Sequence, residues 1–531
     1  MVDKVAQLWP EIALFVGACV VMVMGLSRDR STRRQCGLLS MVALATAGFL
    51  AWYTTPPTPG PLPHMAMYAK VLVAGVGLLL LMLFEGGVDR DYEAGVARGG
   101  TYDPLRSTTG EFWAFALFSL TGLMLCAGAD DLIFLFLALE LTSLPTYIMV
   151  SLSTARNRSM EAGVKYFFLG ALGAAMFLYG FALLFGATGS TSFVEMQRVL
   201  GSGPVGDMAM LGLLLSVLGI AFKIAAVPMH YYTPDVYQGA SSPVAAFLAF
   251  VPKAAGFFAI MSLLGLVGWR FGASGESLPE MLRIVLWAIA ALTMTAGNVL
   301  ALWQTSVKRI LAYSSIAHSG YMLVGVIAGP GAGISTLTRN GLGAVLFYLA
   351  TYGVMTIAAF AVVACLERRA ADGGTEEAED VADLRGLCKR DPLLGWTMVI
   401  SAVGLLGLPP LLGFFGKLPL FTAGIGAGEV PLVLILGVNS AIAAYYYLRL
   451  AGAALLADPE ADAVAPRVVR AGARRMAGAI AAAAVVVVAV TGAGSWLGAR
   501  AAEAGRFRPA SGAEAGAPTA PDMATAGTPT R

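Results

Sequence analysis

Long apolar runs separated by short polar or glycine- and proline-rich segments recur along the chain from about residue 10 to residue 498. A helix needs roughly 20 apolar residues to cross the hydrocarbon core of a bilayer. Read between these breaks, the runs predict an all-α polytopic membrane protein with fourteen spans. The spans lie near residues 10–26, 37–53, 66–86, 111–128, 131–151, 160–186, 207–230, 243–268, 280–302, 307–328, 340–366, 394–424, 431–455 and 474–498.

Two of these spans are interrupted. The seventh contains residues 227–230 (VPMH), and the twelfth contains residues 407–410 (GLPP). Proline and glycine free backbone groups that only protein or water can satisfy inside a membrane. Each interruption lies beside a lysine, Lys223 or Lys417, in the fourth helix of a block of five spans. Because five is an odd number, the second block must be inverted relative to the first, as in many transporters.

Composition excludes several other classes of protein. Of the 531 residues, 57% are hydrophobic and 13% are charged, whereas soluble domains have about 25% charged residues. The net charge of +2 is too balanced for a nucleic-acid-binding protein. The five cysteines are scattered and there are three histidines, so no zinc site, iron–sulfur cluster or disulfide framework is expected. No nucleotide-binding glycine pattern follows a strand, and we expect no redox cofactor in this chain.

The basic residues predict the orientation of the chain in the membrane. If the N-terminus is outside, the inner segments hold 21 Lys and Arg residues and the outer segments hold 9. This distribution satisfies the positive-inside rule, so both termini are predicted on the outer side. The first apolar run is followed by the arginine-rich residues 28–34. A signal peptide would have a small-residue cleavage site at this position instead. The first run is therefore predicted to be a retained helix.

Five lysines remain, and all of them lie inside predicted spans: Lys70, Lys165, Lys223, Lys253 and Lys417. Lys70 lies near an outer end, where its side chain is expected to snorkel to the interface. The other four lie deeper, and so does Glu140 in the fifth span. A charge at the bilayer centre costs about 2.5–3.5 kcal/mol. One such residue fits a structural ion pair, but five in one chain favour a polar path through the membrane.

These residue types suit proton transfer. Burial disfavours the charged form of a lysine and a nearby carboxylate favours it, so a moving carboxylate would load or release a proton. Arginine stays charged and could not do this. His230 at the broken seventh helix and His318 on the tenth span fit either a satisfied polar residue or a relay member that titrates near neutrality. The pattern predicts an ion-translocating protein without identifying the ion.

Three segments together resemble one known family. Residues 222–237 (FKIAAVPMHYYTPDVY) are similar to the broken seventh helix of the antiporter-like subunits of respiratory complex I, the NADH–quinone oxidoreductase. Residues 308–321 (KRILAYSSIAHSGY) resemble the tenth-helix signature of that family, and residues 407–417 (GLPPLLGFFGK) resemble its broken twelfth helix. Their order and spacing also match, and the resemblance covers nearly all of residues 10–455.

Within the family, the chain is most similar to the N-type subunits. The L and M types usually carry aspartate where Ser306 stands, and the M type typically has glutamate in place of Lys417. The L type also has a long C-terminal amphipathic helix, for which fourteen spans leave no room. The N type commonly has asparagine at the position of Ser306, so the chain departs from the pattern there.

The resemblance implies roles for the buried residues. Glu140 corresponds to a fifth-helix glutamate that modulates Lys223, and Lys253 resembles the central relay lysine of the eighth helix. Lys165 resembles the sixth-helix lysine characteristic of the N type, and Lys417 lies toward the outer exit. The full set of candidate site residues is Glu140, Lys165, Lys223, Lys253, Lys417, His230 and His318.

The resemblance also implies a setting. The chain would be a subunit of a proton-pumping NADH:quinone translocase in a bacterial inner membrane, driven by quinone reduction elsewhere. FMN, iron–sulfur clusters and quinone would be bound by partner subunits and not by this chain. The expected partners are neighbouring membrane-arm subunits of the K and M types and membrane lipids.

The chain is expected to divide into five parts. They are a three-helix segment (1–110), a first five-helix repeat (111–268), a second inverted repeat (279–455), a C-terminal helix (456–500) and a disordered tail (501–531). Residues 370–391 are expected to form an acidic inner loop, with a short surface helix as one form it could take.

Three other readings stay open. A subunit of a multisubunit cation/proton antiporter or of a membrane-bound hydrogenase would share these motifs. A single-chain transporter of a small solute would need a midplane pocket with substrate-shaped polar groups. A structural scaffold would leave pumping intact after the loss of Lys223 or Lys417.

Overall fold

Helices account for nearly all of the regular structure in the computed structural model, which describes residues 7–103, 106–154, 157–271, 277–331, 336–369, 375–457, 466–469 and 472–509. Eleven of the described helices are long and apolar enough to cross a membrane. They are Arg30–Thr54, Met65–Phe84, Thr109–Ala127, Leu132–Leu152, Asn157–Thr188, Ser242–Val267, Glu280–Leu302, Val307–Ala328, Gly341–Val363, Val430–Leu455 and Gly472–Val490. Trp9–Gly25 is a shorter apolar helix that forms the first span. With the two broken spans, the fourteen predicted spans of an all-α polytopic fold are confirmed.

Each broken span consists of two shorter helices. Span 7 is formed by Asp207–Ala221 and Thr233–Gly239, and span 12 by Pro392–Leu406 and Leu412–Gly426. The unwound part of span 7 is longer than the sequence predicts and begins earlier, directly after Ala221, so it includes Lys223. In span 12 the first helix ends at Leu406 and is capped by Gly407, whose φ of 87° is accessible to glycine at little cost.

The most deeply buried helices cross the middle of the molecule. Every residue of span 8 (Ser242–Val267) is buried, and nearly all of span 10 (Val307–Ala328) and span 11 (Gly341–Val363) is buried as well. Polar residues of these three helices, such as Lys253 and His318, therefore lie far from both solvent and lipid. This central layer positions the candidate site.

Contacts between connecting segments define two faces of the bundle. On one face, here called the basic face, Arg33 pairs with Glu93, and Arg475 pairs with Asp391 at 2.7 Å. On the opposite face, the side-chain amide of Asn340 donates to the carbonyl of Ala502 at 3.1 Å. Segments that the sequence assigns to one side of the membrane thus lie together in space.

A small antiparallel sheet lies on the basic face. Its strands are β1 (Leu366–Arg369), β2 (Thr375–Glu377) and β3 (Arg467–Val468), in the order β2-β1-β3. Arg368 pairs with Glu376 in register, and their side chains form a salt bridge of 2.8 Å. The segment predicted as an acidic loop, with a short helix as one possible form, contains the strand Thr375–Glu377 and, after it, the short helices Val381–Leu384 and Leu387–Arg390. The cross-strand charge pair stabilises the extended part. Residues 370–374 lie outside the described residues.

Several short helices lie outside the spans: Arg90–Ala97, Phe193–Leu200, Val381–Leu384 (a 3₁₀ helix), Leu387–Arg390 and Ala493–Ala504. The last of these shows that the predicted tail begins too early. Ala501 and Ala502 are fully buried, and the backbone N–H of Arg508 donates to the carbonyl of Pro61. The rest of the predicted tail, residues 510–531, lies outside the described residues.

Candidate functional site

The first part of the candidate site is an ion pair between spans 5 and 7. Lys223 lies at the start of the unwound stretch, and its side chain is 1% exposed. Its Nζ lies 3.2 Å from Oε1 of Glu140 and donates a 2.5 Å hydrogen bond to the hydroxyl of Ser143. Glu140 and Ser143 are three residues apart and therefore share a face of span 5. The ammonium of Lys223 thus has a carboxylate as its counter-charge inside the membrane.

Lys253 occupies the centre of the molecule in a different environment. Its Nζ donates to the backbone carbonyl of Ser315 and to the hydroxyl of Ser319, the latter at 2.5 Å. Its Nζ also lies 5.3 Å from the centroid of the Tyr352 ring. Among the described residues, no carboxylate forms a salt bridge with Lys253. Its polar partners are neutral oxygens and an aromatic ring.

Ser319 connects the first two lysines. Its hydroxyl accepts from Lys253 and donates to the carbonyl of Ile224, the residue that follows Lys223. This carbonyl is available because the helix of span 7 has already ended. The unwinding of span 7 therefore ties the backbone beside Lys223 to the hydroxyl that binds Lys253.

His318 lies on the same helix as these serines and is 1% exposed. Its Nδ1 lies 2.6 Å from the hydroxyl of Tyr348, and its Nε2 lies 2.8 Å from the hydroxyl of Tyr447. The rings of Tyr321 and Tyr352 also pack against the imidazole, with centroids 5.4 Å and 5.0 Å away. Since either ring nitrogen of a neutral imidazole can donate or accept, His318 can pass a proton between two hydroxyl groups.

Lys417 lies just beyond the break of span 12 and is 5% exposed. Its Nζ donates a 2.8 Å hydrogen bond to the carbonyl of Leu406, the last residue of the first half-helix. The ring centroid of Tyr321 is 5.1 Å from the same nitrogen. No described carboxylate pairs with Lys417. As in span 7, the broken helix supplies a free carbonyl beside the lysine.

The structure corrects the expected position of Lys165. Its side chain is 45% exposed and pairs with Glu161 at 2.7 Å and with Asp235 at 3.4 Å. Lys165 is eight residues from the start of the long helix Asn157–Thr188, and therefore about 12 Å from its basic-face end. The sequence analysis estimated the depth of Lys165 from its position within the apolar run. That position does not show which way the side chain faces. Lys165 does not join the buried lysines.

Two further expectations also change. His230 lies in the unwound stretch of span 7, and its buried Nδ1 has no hydrogen-bond partner among the described residues. None of the described contacts joins His230 to the buried lysines. Lys70, expected at the interface, is 3% exposed and forms a 2.8 Å ion pair with Glu11, which is also buried. Spans 1 and 3 therefore hold a buried pair of their own.

Several residues in or beside the site were not predicted from the sequence. At the basic face, Lys308 is buried and pairs with Glu377 at 2.7 Å and with Glu379 at 3.4 Å. Burial alone would raise the pKa of Glu377, but the adjacent Lys308 ammonium holds it below its ordinary value. Serines spaced four apart on an otherwise apolar helix, as at Ser315 and Ser319, were a signal that could have been found.

We call the set Glu140, Lys223, Lys253, His318 and Lys417 the lysine line. The ring of Tyr352 lies between Lys253 and His318, and the ring of Tyr321 lies between His318 and Lys417. All five side chains can give or accept protons, and all except the 19% exposed Glu140 are buried. Among the described residues, no group of three or more His, Cys, Asp or Glu side chains could hold a metal ion. The five cysteines are free. The residue types of the line are suited to moving protons.

Comparisons with known proteins identify the class of such a fold and site. Residues 129–443 match the family model of the transmembrane region of NADH:quinone oxidoreductase and Mrp antiporter proteins. The chain is thus an antiporter-like multi-pass membrane subunit.

Relatives define the family more closely. The chain is 36% identical to NADH-quinone oxidoreductase subunit N of Trichlorobacter lovleyi, over 83% of this chain and 85% of the relative. It is also 36% identical to subunit N of Saccharopolyspora erythraea, over 86% and 90%. A chain of respiratory complex I from Thermus thermophilus superposes with a TM-score of 0.72 at 31% identity, over 93% and 99%. The chain belongs to the NADH-quinone oxidoreductase subunit N family.

Two other assemblies share the fold. A chain of the archaeal membrane-bound sulfane sulfur reductase gives a TM-score of 0.73 at 24% identity, and a chain of the Mrp complex from Dietzia gives 0.74 at 19%. At these identities the likeness shows the fold alone.

Proposed function

We propose that the chain translocates protons along the lysine line as a membrane-arm subunit of NADH–quinone oxidoreductase. The observation that carries the proposal is the line itself, in which four ionisable side chains at most 5% exposed lie on spans 7, 8, 10 and 12. Burying such groups costs about 2.5–3.5 kcal/mol each. A structural role explains a buried lysine that is paired with a carboxylate, as Lys70 is with Glu11, but not Lys253 and Lys417, whose described partners are neutral.

The roles follow from the contacts. Glu140 stabilises the charged form of Lys223, so moving the two apart favours release of its proton toward Lys253, whose amine is bonded to the hydroxyl of Ser319. Lys253 holds the proton only in passing, because its neutral partners give the charged amine no counter-charge. His318, between Tyr348 and Tyr447, passes the proton on to Lys417 at the second broken helix. Lysine suits these steps because its burial makes proton release accessible.

The setting is part of the same proposal. Quinone reduction in other subunits drives the cycle, and FMN, iron–sulfur clusters and quinone are bound there. The neighbours are subunits of the K and M types, and the location is a bacterial inner membrane with both termini outside. Lys165, with Asp235 at the basic face, would exchange protons with the interior without joining the line. The Mrp-like alternative rests on the fold alone.

The test replaces Lys253 by methionine in the assembled complex. We expect NADH-driven proton translocation in inverted membrane vesicles to fall several-fold per NADH oxidised, because positioned proton-transfer groups contribute on the order of 100-fold or more to rates. The matched control is the double variant Glu11→Gln/Lys70→Met, which also removes a buried lysine but lies off the line. The control should pump at the wild-type ratio.

Two outcomes would contradict the proposal. Full pumping by an assembled Lys253→Met complex would remove the line from the mechanism. Purification of the tagged chain with other membrane subunits but without NADH:quinone activity would reassign the driving force to a cation gradient.

A further inference from the structure

An apolar cavity of about 360 Å³ opens on the face opposite the basic face. Span 3 contributes Val71 and Val76, span 11 contributes Val354, and span 14 contributes Val488. Its floor includes Leu412, the first residue of the second half-helix of span 12. The volume lies in the range of ligand-binding pockets, about 300–1,000 Å³. None of these residues belongs to the lysine line.

The depth of the cavity matches one leaflet of a bilayer. Along span 3 it extends from His64 at the helix start to Val76. Twelve residues of helix rise about 18 Å, and half of a hydrocarbon core is about 15 Å thick. The walls are apolar over this depth, so the cavity accommodates an extended alkyl chain that enters from the surface.

The mouth of the cavity has the features of a membrane interface. Trp52 and Trp496 are each about half exposed there, and their rings stack with centroids 6.4 Å apart. Tryptophan is enriched at the level of lipid headgroups. Beside them, Nη1 of Arg500 lies 3.1 Å from Oε2 of Glu503, with both side chains partly exposed. A guanidinium and a carboxylate at the mouth complement a headgroup that carries one charge of each sign.

A buried hydroxyl points to the same occupant. Oγ1 of Thr55 is buried and has no hydrogen-bond partner among the described residues, and Thr55 lines the mouth. An unpaired buried hydroxyl is costly. A ligand with an acceptor oxygen a few bonds from its charged group, such as the ester oxygen of a glycerolipid, would accept a hydrogen bond from this hydroxyl.

We propose that the cavity binds one aminophospholipid of the leaflet at this face. One acyl chain lies between spans 3, 11 and 14 and ends at Leu412. The phosphate binds Arg500, the ammonium binds Glu503, and an ester oxygen accepts from Thr55. The lipid would thus contact the broken helix that carries Lys417, although its binding does not depend on the proposed proton path.

Photolabelling tests the acyl-chain site. The probe is phosphatidylethanolamine with a diazirine near the end of one acyl chain, supplied to membranes that contain the assembled complex. We expect labelled peptides from span 3 and from the segment around Leu412. In Gly75→Leu, labelling should fall several-fold, because Gly75 lines the cavity and a Cβ there meets no atom within 4 Å. There is therefore open space at the Cβ position, and the larger side chain would occupy part of the cavity.

The matched control is Gly452→Leu. Gly452 lies in span 13, also has no atom within 4 Å of an added Cβ, and does not line the cavity. Labelling in this variant should equal that of the wild type. Unchanged labelling in Gly75→Leu would overturn the proposal, and so would crosslinks from a photoreactive residue at Val71 to another polypeptide in place of lipid.

A second pair of variants tests the headgroup. Native mass spectrometry of the complex should show several-fold less bound aminophospholipid in Arg500→Gln than in wild type. Arg198→Gln is the control, since Arg198 forms a similar exposed pair with Glu195 at 3.0 Å away from the cavity. Equal retention in Arg500→Gln, or replacement by a phosphatidylglycerol in the wild type, would overturn the assignment of the headgroup.

Discussion

The two broken helices hold their lysines in different ways. Lys223 in the first repeat faces Glu140 at 3.2 Å, whereas Lys417 in the second faces the Leu406 carbonyl at 2.8 Å and the ring of Tyr321. The helix that corresponds to the Glu140-bearing span in the second repeat is span 10, which carries His318 at its centre. The second repeat thus has no described carboxylate beside its lysine.

The second repeat instead has its acidic residues at the membrane surface. Glu377 and Glu379 reach Lys308 at the basic-face end of span 10. A counter-charge in the centre lowers the cost of a charged lysine there, and a counter-charge at the end does not. The comparison suggests that the first repeat holds a permanent ion pair between Lys223 and Glu140. In the second repeat the partners of the lysine are neutral, so a positive charge there would be transient.

The largest effect is expected from breaking the ion pair between Glu140 and Lys223. In Glu140→Gln the ammonium of Lys223 loses its carboxylate, and removing one partner of a buried pair costs about 3–5 kcal/mol. We expect a lower unfolding midpoint of the purified complex and loss of proton translocation. The double variant Glu140→Gln/Lys223→Met should regain most of the stability, since no uncompensated charge remains, but not the translocation.

The control for this variant is Glu161→Gln, which breaks the exposed pair with Lys165. Exposed pairs contribute about 0–1 kcal/mol, so its unfolding midpoint should stay near that of the wild type. If Glu140→Gln and Glu161→Gln lower stability equally, Lys223 and Glu140 do not form a permanent ion pair.

The sequence supplies the number of spans, both breaks, and all five lysine-line residues on the correct spans. These features depend on apolar runs and on rare charges within them, which a single chain displays directly. It fails for Lys165, Lys70 and Lys308. Whether such a residue is buried depends on which neighbour its face of the helix contacts. It also depends on residues far along the chain, such as Glu377 for Lys308. The local sequence pattern shows neither.

A second prediction concerns the surface carboxylates of the second repeat. Glu377→Gln removes a charge-assisted contact with Lys308, so the expected loss of stability at neutral pH is about 2 kcal/mol. Because the folded protein holds the pKa of Glu377 below its ordinary value of 4.5, its contribution is present above that value and is lost as the pH falls through the lowered pKa. The difference in stability between variant and wild type should therefore shrink below pH 4.5.

Glu376→Gln provides the comparison, because Glu376 pairs with the more exposed Arg368 on the same hairpin. Its effect on unfolding should be smaller than that of Glu377→Gln. Equal effects of both variants across the pH range would show that Lys308 gains nothing from its buried position.

A third prediction concerns the neutral groups of the second repeat. Tyr447→Phe removes the hydroxyl that lies 2.8 Å from His318 Nε2 and leaves the ring in place. The lost hydrogen bond costs about 1 kcal/mol of stability, and we expect slower proton translocation with NADH oxidation less affected. Tyr445→Phe, at an exposed tyrosine of the same helix, is the control and should behave as wild type in vesicle pumping assays.

The smallest change in stability is expected at Lys417, where the second repeat lacks the carboxylate that Lys223 has in the first. Lys417→Met keeps the length of the side chain and removes an amine that has no carboxylate partner. Replacing a buried charge by an apolar group of similar volume is often neutral or stabilising, so the unfolding midpoint should stay unchanged or rise slightly. Lys223→Met should lower it, because Glu140 is then left without its cation. Both variants should lose proton translocation. A clear destabilisation by Lys417→Met, measured in the same assembled complex, would mean that the amine of Lys417 contributes to stability as the pair of Lys223 and Glu140 does.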